Sequence, residues 1–115
     1  LWEKLVTSEK KNYLMAASAG TTESSAELLE SLGLVAQHSY GLLKVSEVTD
    51  DSGSRIRLCL LRNPWGDFEW NGDWSDTSNL WTADLKSQCG YNDDQGLFWM
   101  SYTDLCVYFS RIQIC

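Results

Sequence analysis

One histidine and one asparagine are the residues whose types and spacing could carry proton transfer. His38 opens a segment with strand-like alternation, and Asn63 follows a second segment that becomes continuously apolar. A turn signal separates the two segments, and the midpoint between His38 and Asn63 falls inside it, between Asp50 and Asp51. An antiparallel hairpin in this register predicts that His38 and Asn63 lie nearly opposite each other. The Asn63 amide oxygen would then hold one ring nitrogen of His38 and leave the other for proton transfer, although a lone histidine is more often structural.

A Cys-His-Asn arrangement also needs a nucleophilic thiol, and the cysteines of this chain are poorly suited to that role. The chain has four, at positions 59, 89, 106 and 115, and none forms a C-x-x-C pair, so no structural zinc is expected. Cys59 and Cys106 lie in apolar segments and are predicted to be buried. Cys89, beside Gly90, is predicted to be the most exposed candidate but a poor nucleophile. We expect all four to be reduced thiols of a cytoplasmic protein.

Residues 63–76 form the most unusual segment of the chain. It holds one Pro, two Gly, three Trp and four carboxylates, with no helical or strand period. The indoles need burial, and the carboxylates need a cation, hydrogen-bond donors or water. Three interpretations follow: a solvated acidic loop, a calcium site, or a sugar-binding face with stacked indoles. The carboxylates concerned are Asp67, Glu69, Asp73 and Asp76.

Length and charge limit the class of protein. A chain of 115 residues suits one domain with a modest core. The net charge of -7 argues against a nucleic-acid partner, because few phosphate counterions would be released. The sequence has neither an apolar run long enough for a membrane-spanning segment nor a signal peptide at its start. Because it begins at Leu1 and ends on an apolar segment, we expect both ends to continue in a longer protein.

His38, Asn63 and the loop after Asn63 must be positioned by helices and strands. The sequence patterns of these elements predict an α+β fold dominated by antiparallel sheet. Residues 19–31 are predicted to be a loop, with at most one helical turn at 26–30. A turn at 50–53 joins the two strands of the hairpin. Predicted strands cover 13–18, 37–48, 55–62, 96–100 and 111–115, and predicted helical segments cover 1–6, 82–87 and 102–108, the last capped by Ser101.

These segments together resemble the second subdomain of the calpain protease core, the sheet-rich half of a papain-like cysteine protease. Residues 33–40 and 61–66 carry the resemblance first, with Gln37-His38-Ser39 and Asn63-Pro64-Trp65-Gly66 as its centre. The string Glu-Trp-Asn-Gly-Asp-Trp-Ser-Asp at 69–76 and the strand at 96–102 extend it. Residues 10–18 and 108–115 fit with lower specificity. The resemblance implies that 1–115 is one such subdomain, nearest to calpains of the small-optic-lobes type.

The resemblance implies a role for three residues. His38 would be the general base that activates the catalytic cysteine, and Asn63 would orient its imidazole. Trp65 would cover this pair and wedge between the two subdomains until calcium is bound. The nucleophilic cysteine and the glutamine of the oxyanion hole belong to the first subdomain, which this sequence lacks. The chain alone is therefore expected to be inactive, with that subdomain and protein substrates as its partners.

The resemblance also implies a calcium site. Positions matching Glu69 and Asp76 bind calcium in the family, and Asp93 would lend a backbone carbonyl. The chain departs from the family at Gln95 and Leu97, where calcium-regulated members carry acids. We therefore expect weak calcium binding or none.

The sequence thus predicts part of a cytoplasmic calpain-like cysteine endopeptidase. The alternative is a non-catalytic calpain-like module that binds proteins. A sugar-binding module is disfavoured, because it would have no use for the opposition of His38 and Asn63.

Overall fold

The computed structural model of the chain describes residues 1–19, 23–36, 38–63, 69–91 and 96–115, with the backbone alone at 23–26. The described residues form four short helices and five strands, which confirms the α+β class. In chain order these are α1 (Trp2–Lys10), β1 (Met15–Ala19), α2 (Glu23–Ser31), β2 (Ser39–Thr49), β3 (Arg55–Arg62), α3 (Ala83–Cys89), β4 (Leu97–Ser101), α4 (Tyr102–Tyr108) and β5 (Phe109–Ile114). No helix within these described ranges is long and apolar enough to cross a membrane.

The five strands form one sheet in the order β4-β3-β2-β1-β5, and every neighbouring pair is antiparallel. Alternating strand directions bring the last residues of β1 and β3 to the same end of the sheet as the first residues of β2, β4 and β5. We call this the front end. It is marked by Ala19, Ser39, Arg62, Leu97 and Phe109.

The central strands are buried on both faces of the sheet. Cys59 and Leu61 of β3 face one core, with Phe98 of β4, whereas Leu58 of β3 and Trp99 of β4 face a second core. Burial on both faces explains why residues 58–61 and 97–100 read as continuous apolar runs rather than as alternating strands.

A β-bulge at Leu43 interrupts the pairing of β2 with β3. Leu42 pairs with Leu61 and Lys44 pairs with Leu60, so Leu43 is an extra residue on β2. Leu42 and Val45 therefore both reach the same core despite their odd spacing. The simple alternation expected along this strand from the sequence did not reveal the bulge.

The prediction of a loop at 19–31 is wrong, because residues 23–31 form α2. Leu29 is 2% exposed and packs into the first core beside Leu34, which follows the helix. Burial of this apolar face stabilises the helix, although serine-rich sequence has a modest intrinsic preference for helical structure.

The other predicted elements are confirmed, including the Ser101 cap, and α3 has a cap that was not predicted. Thr82 Oγ1 accepts a hydrogen bond from the Leu85 amide at the start of α3, and Ser101 Oγ accepts one from the Asp104 amide at the start of α4. The first helix is longer than predicted, and Leu1 is exposed at its N-cap.

Candidate active site

His38 lies directly before β2, at the front end of the sheet, and is partly exposed. Two contacts fix the segment that leads to it. The Val35 amide donates a 2.8 Å hydrogen bond to the Tyr40 hydroxyl, and Ala36 forms an isolated bridge with Ala19, the last residue of β1. The backbone on both sides of His38 is thereby tied to the sheet.

Tyr40 is the anchor of this arrangement. Its ring is 1% exposed and packs edge-on against Phe98 and Phe109, with centroid distances of 5.9 and 5.5 Å. Burial raises the pKa of its hydroxyl above the usual value, so the side chain stays neutral at physiological pH. The neutral hydroxyl is an acceptor for the Val35 amide, three residues before His38.

Asn63 follows β3 at the same end and is 3% exposed. Its backbone amide donates a 2.7 Å hydrogen bond to the Gly96 carbonyl, one step beyond the last ladder pair, Arg62 with Leu97. Asn63 thus continues the pairing of β3 with β4, so its backbone is held in the sheet.

The register from which we predicted that His38 lies nearly opposite Asn63 is shifted by two residues in the structure. Gly41 pairs with Arg62, so an extension of the ladder places Asn63 across from Tyr40. The turn is centred on Ser52, because Thr49 pairs with Arg55, and the bulge in β2 recovers only part of the difference. His38 and Asn63 nevertheless flank the β2–β3 ladder at the same end of the sheet.

The thiols follow the predictions only in part. Cys59 is fully buried as predicted, and burial raises its pKa to about 12. Cys89 was expected to be the most exposed candidate and is fully buried in the second core, where desolvation raises its pKa. Cys106 was expected to be buried and is exposed, because α4 turns the adjacent Leu105 into the core. Cys115 is exposed after β5, at the end of the sheet opposite His38. All four thiols are free of disulfides.

Glu69, the first described residue after 64–68, has a fixed backbone. A side chain at Gly33, where φ is +84°, would collide with the Glu69 carbonyl oxygen. Asn71 is bonded to the end of α2, since its amide donates to the Leu32 carbonyl at 3.0 Å and its side chain donates to the Ser31 carbonyl at 2.9 Å. These contacts secure the loop to the segment that leads to His38.

The described tryptophans of the loop are packing residues. Trp70 is 4% exposed, stacks at a tilt on Tyr108 with centroids 5.6 Å apart, and donates from Nε1 to the Asp73 carbonyl at 2.8 Å. Trp74 is 7% exposed and meets Trp81 edge-on at 5.0 Å. Buried indoles cannot stack on a sugar, so this finding counts against the sugar-binding interpretation.

Both predicted calcium-binding side chains have protein partners. Glu69 Oε1 accepts a hydrogen bond from the Gly96 amide at 3.1 Å, and Asp76 Oδ1 accepts one from the Tyr91 hydroxyl at 2.7 Å. Tyr91 in turn packs on Trp81 and lies under the Lys86 ammonium, 4.6 Å from its ring centroid. The two carboxylates thus contact the residues that flank 92–95, one on each side.

The described residues do not by themselves form a calcium site. Within the described ranges no three His, Cys, Asp or Glu side chains are grouped so that they could hold a metal. Asp93 and Trp65, the remaining predicted site residues, lie outside the described residues, as does Gln95. Gly33, Gly96 and Tyr91 were not singled out from the sequence as site residues. The two glycines could have been, since a glycine directly before a buried strand or after a helix often has positive φ.

The sheet thus presents a partly exposed histidine and a buried asparagine at the same end, and these are residue types that a Cys-His-Asn arrangement uses. The class of protein follows from a match to a known family. Residues 1–115 match the family described as calpain family cysteine protease. The chain belongs to the calpain family.

Curated relatives agree over the length of this chain. It is 39% identical over 119 residues to calpain-9 of Mus musculus, an alignment with 99% of this chain and 17% of that protein. It is 36% identical over 118 residues to the calpain-type cysteine protease DEK1 of Arabidopsis thaliana, with 100% of this chain and 5% of that protein. The calpain-2 catalytic subunit of Mus musculus is 33% identical over 110 residues, with 93% of this chain and 16% of that protein. The chain thus spans a small fraction of these relatives.

Proposed function

We propose that the chain is the base-bearing subdomain of a calpain-like cysteine endopeptidase that acts on cytoplasmic proteins. His38 is the general base, Asn63 orients it, and Trp65 covers the pair. The nucleophilic cysteine comes from the first subdomain of the same protein, so this chain alone is inactive. The observation that carries the proposal is the placement of His38 and the buried Asn63 at the same end of one sheet.

The chemistry follows from the properties of these two side chains. The His38 imidazole takes the proton from the cysteine thiol, and the thiolate attacks the peptide carbonyl. The imidazolium then gives that proton to the departing amine and becomes neutral imidazole. In the second half-reaction the neutral imidazole takes a proton from the attacking water and returns it to the departing thiolate. Asn63 stabilises one ring orientation through both steps, because its side-chain oxygen accepts from the ring N–H.

None of the four cysteines of this chain is suited to be the nucleophile, which supports its assignment to the first subdomain. Cys59 and Cys89 are buried, with raised pKa values that disfavour the thiolate. Exposed Cys106 interacts with the Tyr102 hydroxyl, and exposed Cys115 lies at the far end of the sheet.

Substitution of His38 tests the proposal. In the full-length protein His38→Ala should lower peptide cleavage by at least about 10³-fold, because both proton transfers lose their carrier. Cleavage of a fluorogenic peptide measures this, and the melting temperature should stay unchanged. Retained turnover would remove His38 from the mechanism. The non-catalytic alternative predicts no cleavage by the unmodified protein and an upstream segment without a catalytic cysteine.

For calcium we infer weak binding at most, through Glu69, Asp76 and the Asp93 carbonyl. The partners of Glu69 and Asp76 support this inference, because calcium would have to displace them or share their acceptor oxygens. Calorimetric titration of the chain should give weak uptake or none, and any uptake should disappear in the double variant Glu69→Ala, Asp76→Ala. Tight binding that survives both substitutions would refute this placement.

A further inference from the structure

Two hydrogen bonds, both to the backbone of Gly96, link the loop at Glu69 to the asparagine of the proposed catalytic pair. Glu69 Oε1 accepts from the Gly96 amide at 3.1 Å, and the Gly96 carbonyl accepts from the Asn63 amide at 2.7 Å. Both bonds involve the backbone of Gly96, so a carboxylate that fixes the Gly96 amide also fixes the carbonyl that accepts from Asn63.

The backbone of Gly96 has little freedom to move between its two hydrogen bonds. Its φ is +81°, a conformation that favours glycine, and an added Cβ would lie 3.3 Å from the Asn63 carbonyl oxygen. Glu69 is fixed in turn, because its carbonyl packs against Gly33 and the adjacent Asn71 is bonded to the end of α2. The carboxylate is thus a fixed point from which the position of Asn63 is set.

We propose that Glu69 is a positioning residue for Asn63 and acts through the backbone of Gly96, whose amide it accepts from and whose carbonyl accepts from Asn63. This inference rests on the proposed pairing of Asn63 with His38. It assigns to Glu69 a role as a hydrogen-bond acceptor of the right length, which needs no cation. This role differs from that of a calcium ligand. The side chain must be long enough for its acceptor oxygen to reach the Gly96 amide, whereas the negative charge that favours calcium binding is not required.

Two substitutions of Glu69 separate the effect of side-chain length from the effect of side-chain charge. Glu69→Gln keeps the length and an acceptor oxygen but loses the charge, whereas Glu69→Asp keeps the charge but is one methylene shorter. In the full-length protein we expect Glu69→Asp to lower kcat by about tenfold with little change in KM, and Glu69→Gln to stay within about twofold of the unmodified protein. Glu3→Asp, the same shortening at an exposed position of α1, is the matched control and should behave like the unmodified protein.

A second readout does not depend on turnover. His38 is the only histidine, so its ring nitrogen signals in a ¹⁵N NMR spectrum of the 115-residue chain need no assignment. Asn63→Ala should change the tautomer of His38, Glu69→Asp should change it in the same direction, and Glu69→Gln should leave it unchanged. Gly96→Ala keeps Glu69 intact and should change the His38 tautomer in the same way as Glu69→Asp. It is the variant to measure if Glu69→Asp does not fold.

The outcomes distinguish this inference from the function on which it rests. If Asn63→Ala alters the His38 signals and neither Glu69→Asp nor Gly96→Ala does, the positioning role is refuted and the pair stands. If Glu69→Gln is as damaging as Glu69→Asp, an acceptor oxygen of the right length is not sufficient, and the role is again refuted. If Asn63→Ala itself leaves His38 unchanged, the proposed pair fails.

Discussion

Gly33 shows how one residue without a side chain shapes the site. It lies between α2 and the segment leading to His38, and the Glu69 backbone packs directly on it. Its φ of +84° is in the left-handed region, where other L residues are strained. The close approach of two chain segments, rather than the turn alone, is therefore what requires glycine.

Gly33→Ala should destabilise the chain by more than about 3 kcal/mol. Backbone strain accounts for about 1–2 kcal/mol, and the collision with the Glu69 carbonyl adds the remainder because the loop must move. Urea denaturation followed by tryptophan fluorescence measures the loss.

The matched control is Gly53→Ala. Gly53 has the same backbone conformation, φ +85°, but an added Cβ would have no atom within 4 Å. It should lose only the strain energy of about 1–2 kcal/mol. Equal losses for the two variants would mean that the Gly33–Glu69 contact does not stabilise the fold.

At the scale of the elements, α3 illustrates how a short helix is held against the second core. Thr82 caps its start, Gly90 ends it in the left-handed conformation, and the Lys44 ammonium donates to the Cys89 carbonyl at 2.8 Å. Leu85 and Cys89 supply its buried face. A helix of seven residues depends on such contacts, since its own hydrogen bonds are too few.

Thr82→Ala should lower the free energy of unfolding by about 1 kcal/mol, because the Leu85 amide loses its side-chain acceptor. Chemical denaturation measures the effect. Thr103→Ala is the control: Thr103 is exposed in α4, and its replacement should be nearly neutral. A neutral result for Thr82→Ala would show that water replaces the cap at no cost.

The elements also show what sequence could and could not predict. The strand over 55–62 and both capped helices follow from local patterns, and the structure reproduces them. The α2 helix was missed because its stability comes from burial of Leu29 in a core that local sequence does not display. The register beside His38 was missed because a bulge and a longer turn each shift it, and neither leaves a signal in alternation.

For the candidate site, the residue types were predictable and the contacts were not. Asn63, at the junction of an apolar run and a proline, could be identified from sequence, as could His38. The partners of Glu69 and Asp76 could not, because Gly96 and Tyr91 are brought to them by the pairing of β3 with β4 and by packing on Trp81.

For the whole molecule, the buried thiols link stability to alkaline pH. Cys59 has an ordinary pKa of 9.0 in the unfolded chain, and burial raises it to about 12 in the folded chain. Below pH 9 the thiol is protonated in both states, so its contribution is fully present. Between pH 9 and 12 the unfolded chain loses the proton first, and stability falls as pH rises.

We therefore expect the free energy of unfolding to fall above pH 9, by at most about 1.4 kcal/mol per pH unit from Cys59. Denaturation curves from pH 8 to 11 measure the slope, which Cys59→Ala should reduce and Cys115→Ala, at an exposed position, should not. An unchanged slope in Cys59→Ala would contradict the assignment to this thiol.

Two contacts that shape the site join segments more distant along the chain: Gly33 with Glu69, and Asn63 with Gly96. Such contacts close long loops. The entropic cost of closing these loops is offset only by the contacts of a nearly complete sheet. The geometry around His38 and Asn63 should accordingly be among the last features to form during folding. A partly folded chain would hold its helices and its β2–β3 hairpin while His38 and Asn63 were still unaligned, so this end of the sheet would take its shape only in the finished fold.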